Sequence, residues 1–402
     1  MKLEERLRTL NKLNANSKFV NKQLYRLLYS PDFYKLAYEK LKTNKGAMTS
    51  GISPNSNIDG MSMRVIDNII AQLKNESYTP KPARRTYISK ANGKLRPLGI
   101  PTFEDKLVQE CIRVILTCIY DGNVYPTFSE YSYGFRSGLG THHALRYVKK
   151  SFNGCCWIIK ADVKAFFDEV DNNLLVRFLE KRIDDKRFIR LIRKFLKSGY
   201  IEKGQLFKPK KGTPQGGNLS PILSNIYLHE FDVFIEDLIK SDGTHTTYNK
   251  AYHRENRRLS TLKKAAHKSD KSSKEGVIGK WSKVAQQHSI VKNIPSRILA
   301  DPKKAVIRYC RYADDWVIGL KCDKAKAKVI FEKCKVFFGE KLHLKWNEDK
   351  SILQRSFDQR VEFLGVYLSF VTPRQERYAY VKRGNTKYYR KTVSRNLSLI
   401  HI

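Results

Sequence analysis

The feature that most constrains this chain is a pair of acids lodged between two runs of β-type residues. Ile307-Arg308-Tyr309-Cys310-Arg311-Tyr312 leads into Ala313-Asp314-Asp315, and Trp316-Val317-Ile318-Gly319-Leu320 follows. Adjacent carboxylates are a poor choice inside such a stretch, because each charge taken out of water costs several kcal/mol unless it is paired or bound to a cation. The segment 305–320 therefore reads as two strands joined by a tight turn at the acids. Asp162 closes another apolar run, Cys156-Trp157-Ile158-Ile159-Lys160-Ala161. Three acids meeting at neighbouring strand ends would make a hard-oxygen site suited to Mg²⁺. Two such ions about 3.5–4 Å apart can activate a hydroxyl nucleophile and stabilise a leaving pyrophosphate. A solvent-facing Asp-Asp turn without chemistry is the competing reading.

Charge narrows the class. The 402 residues carry 77 Lys and Arg against 39 Asp and Glu, a net of +38. An excess of that size repels itself in the compact state and is expected where a polyanion supplies the counter-charge. With 41% hydrophobic residues, including 22 Tyr and 20 Phe, the chain has ample material for a core, which excludes wholesale disorder. No apolar run approaches about 20 residues and the N-terminus lacks a signal-peptide core, so no membrane span or secretion is expected. Seven cysteines fit no zinc spacing and read as reduced thiols of an intracellular protein.

Periodicity places the remaining elements. Residues 1–43 read as helical, 44–60 as a Gly/Ser/Asn-rich loop and 63–73 as an amphipathic helix. Residues 84–101 read as a basic hairpin turning at Ala91-Asn92-Gly93-Lys94. Helices are expected at 104–120, from Thr141, at 186–198, at 219–240 (apolar nearly all round, hence deep) and at 323–341. A strand is expected at Glu362–Ser369. The segment 241–304 has few large apolar residues, and within 241–300 it carries 13 Lys/Arg against 4 Asp/Glu. It reads as a solvated helical insertion, either lying along RNA or without a role. No repeat of 20–50 residues is visible, which excludes a solenoid.

Taken in order, the motifs resemble the reverse transcriptase domain of group II intron-encoded proteins, the intron maturases, over about residues 20–370. Tyr312-Ala313-Asp314-Asp315 resembles the catalytic box and Ala161-Asp162-Val163-Lys164-Ala165-Phe166-Phe167-Asp168 the first-aspartate block. Gly212-Thr213-Pro214-Gln215-Gly216-Gly217-Asn218-Leu219-Ser220-Pro221 resembles the nucleotide-positioning block, and Phe363-Leu364-Gly365 the primer-side block. Leu28-Tyr29 through Asn44-Lys45-Gly46-Ala47-Met48-Thr49-Ser50-Gly51 resembles the N-terminal extension. A single box is weakly specific; the ordered set is strong.

The resemblance implies a role for each matched position. Asp162, Asp314, Asp315 and the backbone carbonyl of Val163 would hold the metals, with Asp315 supporting the site. Phe167 would be the steric gate that excludes a 2′-hydroxyl, or else ordinary core. Lys90 and Arg96, on opposite arms of the hairpin, would grip the incoming triphosphate, or else be solvated charges. Gln215 and the glycines after it would floor the nascent base pair. Lys350 would donate a proton to pyrophosphate, with a plain surface lysine as the alternative. Arg84, Arg85, Arg136, Lys149 and Lys150 are candidates for phosphate-backbone contacts. Tyr131 and Tyr133 are candidates for base stacking or are packed loop anchors.

The implied fold is α+β: right-hand polymerase fingers and palm, with a ferredoxin-like antiparallel palm sheet backed by helices. Residues 1–60 would extend the fingers, 61–155 form them, and 156–370 form the palm around the 241–304 insertion. Some fingers residues are expected around 175–212. Residues 371–402 would begin the connection to a thumb that is missing. The implied function is RNA-directed DNA polymerisation from a primer 3′-hydroxyl, using Mg²⁺ and deoxynucleoside triphosphates. Binding of group II intron RNA would assist splicing and mobility. A non-catalytic RNA-binding splicing factor and a retron-type reverse transcriptase are the alternatives; a homodimer is left open. The expected location is the bacterial cytoplasm or an organelle.

Overall fold

The structure, a computed structural model, describes all residues except 1, 45, 54–55, 90–92, 94, 123–125, 214–215, 268–273, 357–359, 371–378, 384–386, 392–396 and 402. For residues 274–277 and 369–401 it describes the backbone alone. The N-terminal 43 residues are not one helical stretch. Helix α1 (Leu3–Leu13) is followed by a 3₁₀ turn (Leu24–Tyr29) and then by α2 (Pro31–Lys42). Pro31 explains the second of these breaks. The residue before a proline is pushed out of the α region, and Ser30 is extended at φ −85°, ψ 118°, before Pro31 opens the next helix.

Helix α3 (Met63–Lys74) leads to the basic hairpin of β1 (Ala83–Ser89) and β2 (Leu95–Ile100), in register from Arg84 opposite Ile100 to Ser89 opposite Leu95. Helices α4 (Phe103–Tyr120) and α5 (Thr141–Ser151) follow. Beyond β3 (Trp157–Ala161) come three helices, α6 (Phe166–Glu169), α7 (Asn172–Glu180) and α8 (Lys186–Lys197). The chain then returns to the first sheet. β4 (Tyr200–Glu202) runs parallel beside β1, and β5 (Gln205–Phe207) completes the order β2-β1-β4-β5. A segment between two parts of the second sheet thus contributes strands to the hairpin sheet.

Helix α9 (Ser220–Asp242) is buried over most of its length, as its all-round apolar pattern requires. A short ribbon of β6 (Thr246–Tyr248) and β7 (Arg297–Leu299) carries the insertion, in which α10 (Lys250–His267) and α11 (Lys274–Asn293) pack around Leu259, Ala266, Val284 and Val291. The acid-bearing runs are β8 (Val306–Tyr312) and β9 (Asp315–Lys321), followed by α12 (Lys324–Glu340) and β10 (Ile352–Arg355).

The central sheet has the order β10-β3-β9-β8 with every neighbour antiparallel. Counted in chain order its strands lie 4-1-3-2, the ferredoxin-like arrangement. Both faces are covered, which is why the strands read as continuous apolar runs rather than alternating ones. Ile159, Tyr309, Trp316 and Ile318 meet α9 and α12, where Phe231 and Phe338 stand 4.6 Å apart. Ile158, Cys310 and Val317 meet Ala144 and Val148 of α5 and the C-terminal hairpin.

That hairpin corrects the single strand expected at 362–369. Leu364 (φ +54°) and Gly365 (φ +74°) are both left-handed, the signature of a two-residue type I′ turn. They divide the segment into β11 (Val361–Phe363) and β12 (Val366–Phe370), paired antiparallel. Backbone pairings further along define β13 (Ala379–Arg383) with β14 (Lys387–Lys391), and β15 (Leu397–His401) against β12.

Candidate active site at the palm hairpin

The turn between β8 and β9 is as tight as an antiparallel connection allows. Tyr312 pairs with Asp315, leaving Ala313 and Asp314 as the loop. Ala313 is left-handed at φ +56° and Asp314 is not, the sign pattern of a II′ turn, which ordinarily has glycine first. The alanine is held there by its surroundings. Gly134 lies flat against the turn, and a Cβ at that position would overlap the Ala313 amide nitrogen and stand 3.0 Å from the Tyr312 carbonyl carbon. The Gly134 carbonyl accepts from Asn225 Nδ2 at 2.8 Å.

Asp162 follows the last residue of β3, the strand paired with β9. Its backbone carbonyl accepts from Asn347 N at 2.8 Å. Its Oδ2 stands 3.3 Å from Lys350 Nζ and 3.4 Å from Asn347 Nδ2. Val163 bridges Trp346 between two flanking bonds, Asn347 N to Asp162 O and Lys164 N to Lys345 O. In that pattern the peptide groups of Val163 point away from the 345–347 segment.

Burial first, with repulsion from Asp162 adding to it, holds Asp314 above the usual carboxylate range, against its own backbone N–H, Arg96 and Arg311. The third acid has a cation beside it. Asp315 forms an ion pair with Lys160 Nζ at 3.5 Å and accepts from Leu364 N at 3.3 Å, tying β9 to the β11–β12 turn. Burial raises its carboxyl too, opposed by Lys160. Lys160 Nζ also donates to the Glu362 carbonyl at 2.5 Å. Among the described residues no group of three or more His, Cys, Asp or Glu side chains is gathered to hold an ion. Asp162 ends the strand beside β9, Asp314 lies in the β8–β9 turn, and Asp315 opens β9 with Lys160 as its counter-charge.

Beside the pair lies a cleft of about 390 Å³, lined by Arg96, Leu98, Phe135, Phe167, Gly216 and Asn218 among others. Arg96 belongs to both, since it lines the cleft and its charge acts on Asp314. The Phe166-Phe167 pair divides its labour. Phe166 is buried in the core while Phe167, half-buried, faces the cleft. The nucleotide-positioning block runs directly over it, with Thr213 N donating to the Phe167 carbonyl at 2.7 Å. Gly212 (φ +92°) permits this approach, since a Cβ there would stand 2.8 Å from the same oxygen. Lys90 and Gln215 lie outside the described residues.

The expected phosphate contacts separate into two groups. Lys149 and Lys150 are exposed at the end of α5. Arg84 is exposed but donates to the Ser50 and Gly51 carbonyls, and Arg85 lays its guanidinium 4.1 Å over the Tyr200 ring. Arg136 is a correction. It pairs with Asp121 at 2.7 Å, donates to the Ser129 and Ser132 carbonyls, and is 7% exposed at its side chain. Its charge is spent on tying Asp121 to the Ser129 and Ser132 carbonyls. Tyr131 and Tyr133 pack on Tyr147 at 5.7 and 5.9 Å, the loop-anchor reading.

Sequence reasoning passed over Lys160, Asp232, Asn225, Gly134 and Arg311. One carried a signal: Arg311 is a cation within a buried strand, which calls for a buried acid. Asp232, the acid it meets, is one of several on α9.

The sequence profile described as reverse transcriptase (RNA-dependent DNA polymerase) matches residues 88–248. The group II intron-encoded protein LtrA of Lactococcus lactis subsp. cremoris is 37% identical over 406 residues, covering 100% of this chain and 64% of LtrA. Protein YkfC of Escherichia coli is 32% identical over 357 residues, covering 85% of this chain and 82% of YkfC. An uncharacterized 91 kDa protein in the cob intron of Schizosaccharomyces pombe is 37% identical over 369 residues, covering 90% and 44%. The fold and site thus define a polymerase palm of the reverse transcriptase class. The chain belongs to the group II intron-encoded reverse transcriptase and maturase family, and it spans 64% of the length of LtrA.

Proposed function

We propose that this chain is an RNA-directed DNA polymerase that extends a DNA primer on an RNA template with deoxynucleoside triphosphates. The observation that carries the reading is the placement of Asp162 at the end of β3, paired with β9, beside the β8–β9 turn that holds the half-buried Asp314, next to a cleft that presents Arg96 and Phe167. The family implies divalent metal, and the pair fits one. Two carboxylates repel each other at a site where burial already penalises Asp314, and a hard cation would offset both costs. Asp162 and Asp314, with the Val163 carbonyl turned from its bridging neighbour, would hold it, while Asp315 supports the turn through Lys160. Bound Mg²⁺ would supply Lewis-acid activation of the 3′-hydroxyl and neutralise developing phosphate charge.

The remaining steps belong to the protein's own groups. Arg96 meets the triphosphate with forked donors, and Lys90 is the candidate for a second, compact charge. Phe167 fills the volume that a 2′-hydroxyl would need. Gln215 with Gly216 and Gly217 floors the base pair. Lys350 holds Asp162 and is the candidate to return a proton to pyrophosphate.

The excess of +38 supports binding to nucleic acid, and relatives encoded in bacterial and mitochondrial introns support group II intron RNA as the partner in splicing and mobility. They equally support a location in the bacterial cytoplasm or an organelle. Among the described residues no helix is long and apolar enough to cross a membrane.

The test is primer extension on an RNA template with the full chain. Asp314→Ala is expected to lose several kcal/mol of transition-state stabilisation, on the order of a thousandfold in rate, while binding intron RNA as before. An Asp314→Ala chain that extends at the wild-type rate rejects catalysis here and leaves the RNA-binding splicing factor as the reading.

A further inference from the structure

The structure assigns a positioning role to Arg311, which we infer acts through the Ala313 peptide on Asp314; the inference rests on the polymerase reading above. Arg311 and Asp232 are both sealed from solvent. The guanidinium divides its donors. Nε and Nη2 donate to the two carboxylate oxygens of Asp232 at 2.7 and 2.6 Å. Nη1 donates to Asn225 Oδ1 at 3.0 Å and to the Ala313 carbonyl at 2.9 Å. Tyr309 completes the cluster, donating its hydroxyl to Asp232 at 2.8 Å.

A pair serving packing alone needs only the fork onto Asp232. The bond to the Ala313 carbonyl goes further, because that carbonyl belongs to the peptide unit carrying the Asp314 amide. Fixing it fixes the direction in which the Asp314 side chain leaves the turn. The turn needs holding, since Ala313 sits at φ +56°, a region that residues with a Cβ rarely adopt. The same arginine organises the other side. Its backbone N–H donates to Tyr131 O at 2.8 Å and its carbonyl accepts from Tyr133 N at 2.9 Å. Asn225, held by Nη1, donates onward to the Gly134 carbonyl at 2.8 Å, and Gly134 lies against the Ala313 amide. Helix α9, the 131–134 segment and the turn thus meet at one arginine, its guanidinium serving the helix and the turn and its backbone the segment. Lysine cannot substitute, because three donors on a single nitrogen cannot span both Asp232 oxygens and the turn carbonyl.

The test compares the full wild-type chain with Arg311→Lys, which keeps a cation beside Asp232, and with Arg311→Lys/Ala313→Gly, in which the left-handed turn needs no clamp. The readouts are hydrogen exchange across residues 309–316, Mn²⁺ affinity by electron paramagnetic resonance, and primer extension. Arg311→Lys is expected to stay folded, to exchange the turn amides faster while the rest of the sheet is unchanged, and to bind Mn²⁺ about tenfold more weakly. Adding Ala313→Gly is expected to recover much of the lost affinity. A folded Arg311→Lys chain with wild-type turn exchange overturns the assignment. So does one that loses its fold altogether, since the role is then core stability alone. Wild-type protein that neither extends primers nor changes Mn²⁺ affinity on Asp314→Asn would reject the polymerase reading instead, while turn exchange still decides the clamp.

Discussion

Gly134 stands where the catalytic turn tolerates no side chain, and it argues that single atoms decide this site. Gly134→Ala places a methyl group on the Ala313 amide, and backbone, unlike the end of a flexible side chain, cannot step aside. Overpacking of that kind costs about 1–3 kcal/mol. The expected result is a lower melting temperature together with a fall in extension rate larger than the stability loss explains. Phe167→Val opens the cleft without touching the acids. Ribonucleotide incorporation should rise by an order of magnitude or so, since a gate of this type works by volume (about 1–3 kcal/mol per group excluded), while incorporation of deoxynucleotides changes less; competition between the two nucleotide classes in single-turnover extension measures it. Arg136 and Lys149 looked alike in the sequence and differ in the fold. Arg136→Ala strands the buried Asp121 carboxylate and should cost about 3–5 kcal/mol of stability. Joint replacement of Lys149 and Lys150 by alanine should leave melting unchanged and flatten the salt dependence of RNA affinity by about two counterions.

At the scale of elements, what could be read in the sequence was what burial dictates. The acid pair between two apolar runs specified the β8–β9 turn, because no other arrangement keeps those carboxylates near water, and an all-round apolar α9 could only lie deep. Asn-Gly marked the β1–β2 hairpin. The single strand expected at 362–369 failed for an equally physical reason: Leu364 enters the left-handed region without being a residue that favours it, so Gly365 alone marked the turn. The 1–43 stretch was misread because helical periodicity outweighed a proline whose effect falls on the residue before it. The Lys160 counter-charge of Asp315 was not legible, because sequence does not show which side chain on a neighbouring strand will face it. One contact between elements has a pH signature. Asp242, at the C-terminus of α9, bonds Lys333 at 2.8 Å and faces Lys326 at 3.4 Å on α12, and the Lys333 bond foremost holds its carboxyl below the usual range. A depressed carboxyl stabilises the fold above its unfolded value and loses that contribution as pH falls through its folded value. Denaturant midpoints should thus separate wild type from Asp242→Asn at neutral pH by less than about 1 kcal/mol and converge as pH falls below the usual carboxylate range.

Across the whole molecule, the +38 excess and the division of labour between sheet and insertion make the next prediction. Asn249 N donates to the Ser296 carbonyl at 3.2 Å, so the two ends of the α10–α11 hairpin meet, and its core of Leu259, Ala266, Val284 and Val291 is its own. Replacing residues 250–295 with a short turn is expected to leave melting of the remainder and primer extension close to wild type, while lowering affinity for intron RNA and its salt dependence. A deletion that abolishes extension at saturating template would place the insertion in the catalytic body instead. The central claim, that Asp162 and Asp314 act as one site, is tested most directly by single-turnover primer extension with Asp162→Asn, Asp314→Asn and the double variant. Groups that share a function lose it together, so each single variant should fall by a similar large factor and the double no further. Wild-type turnover in either single variant, or losses that simply multiply in the double, would contradict the account.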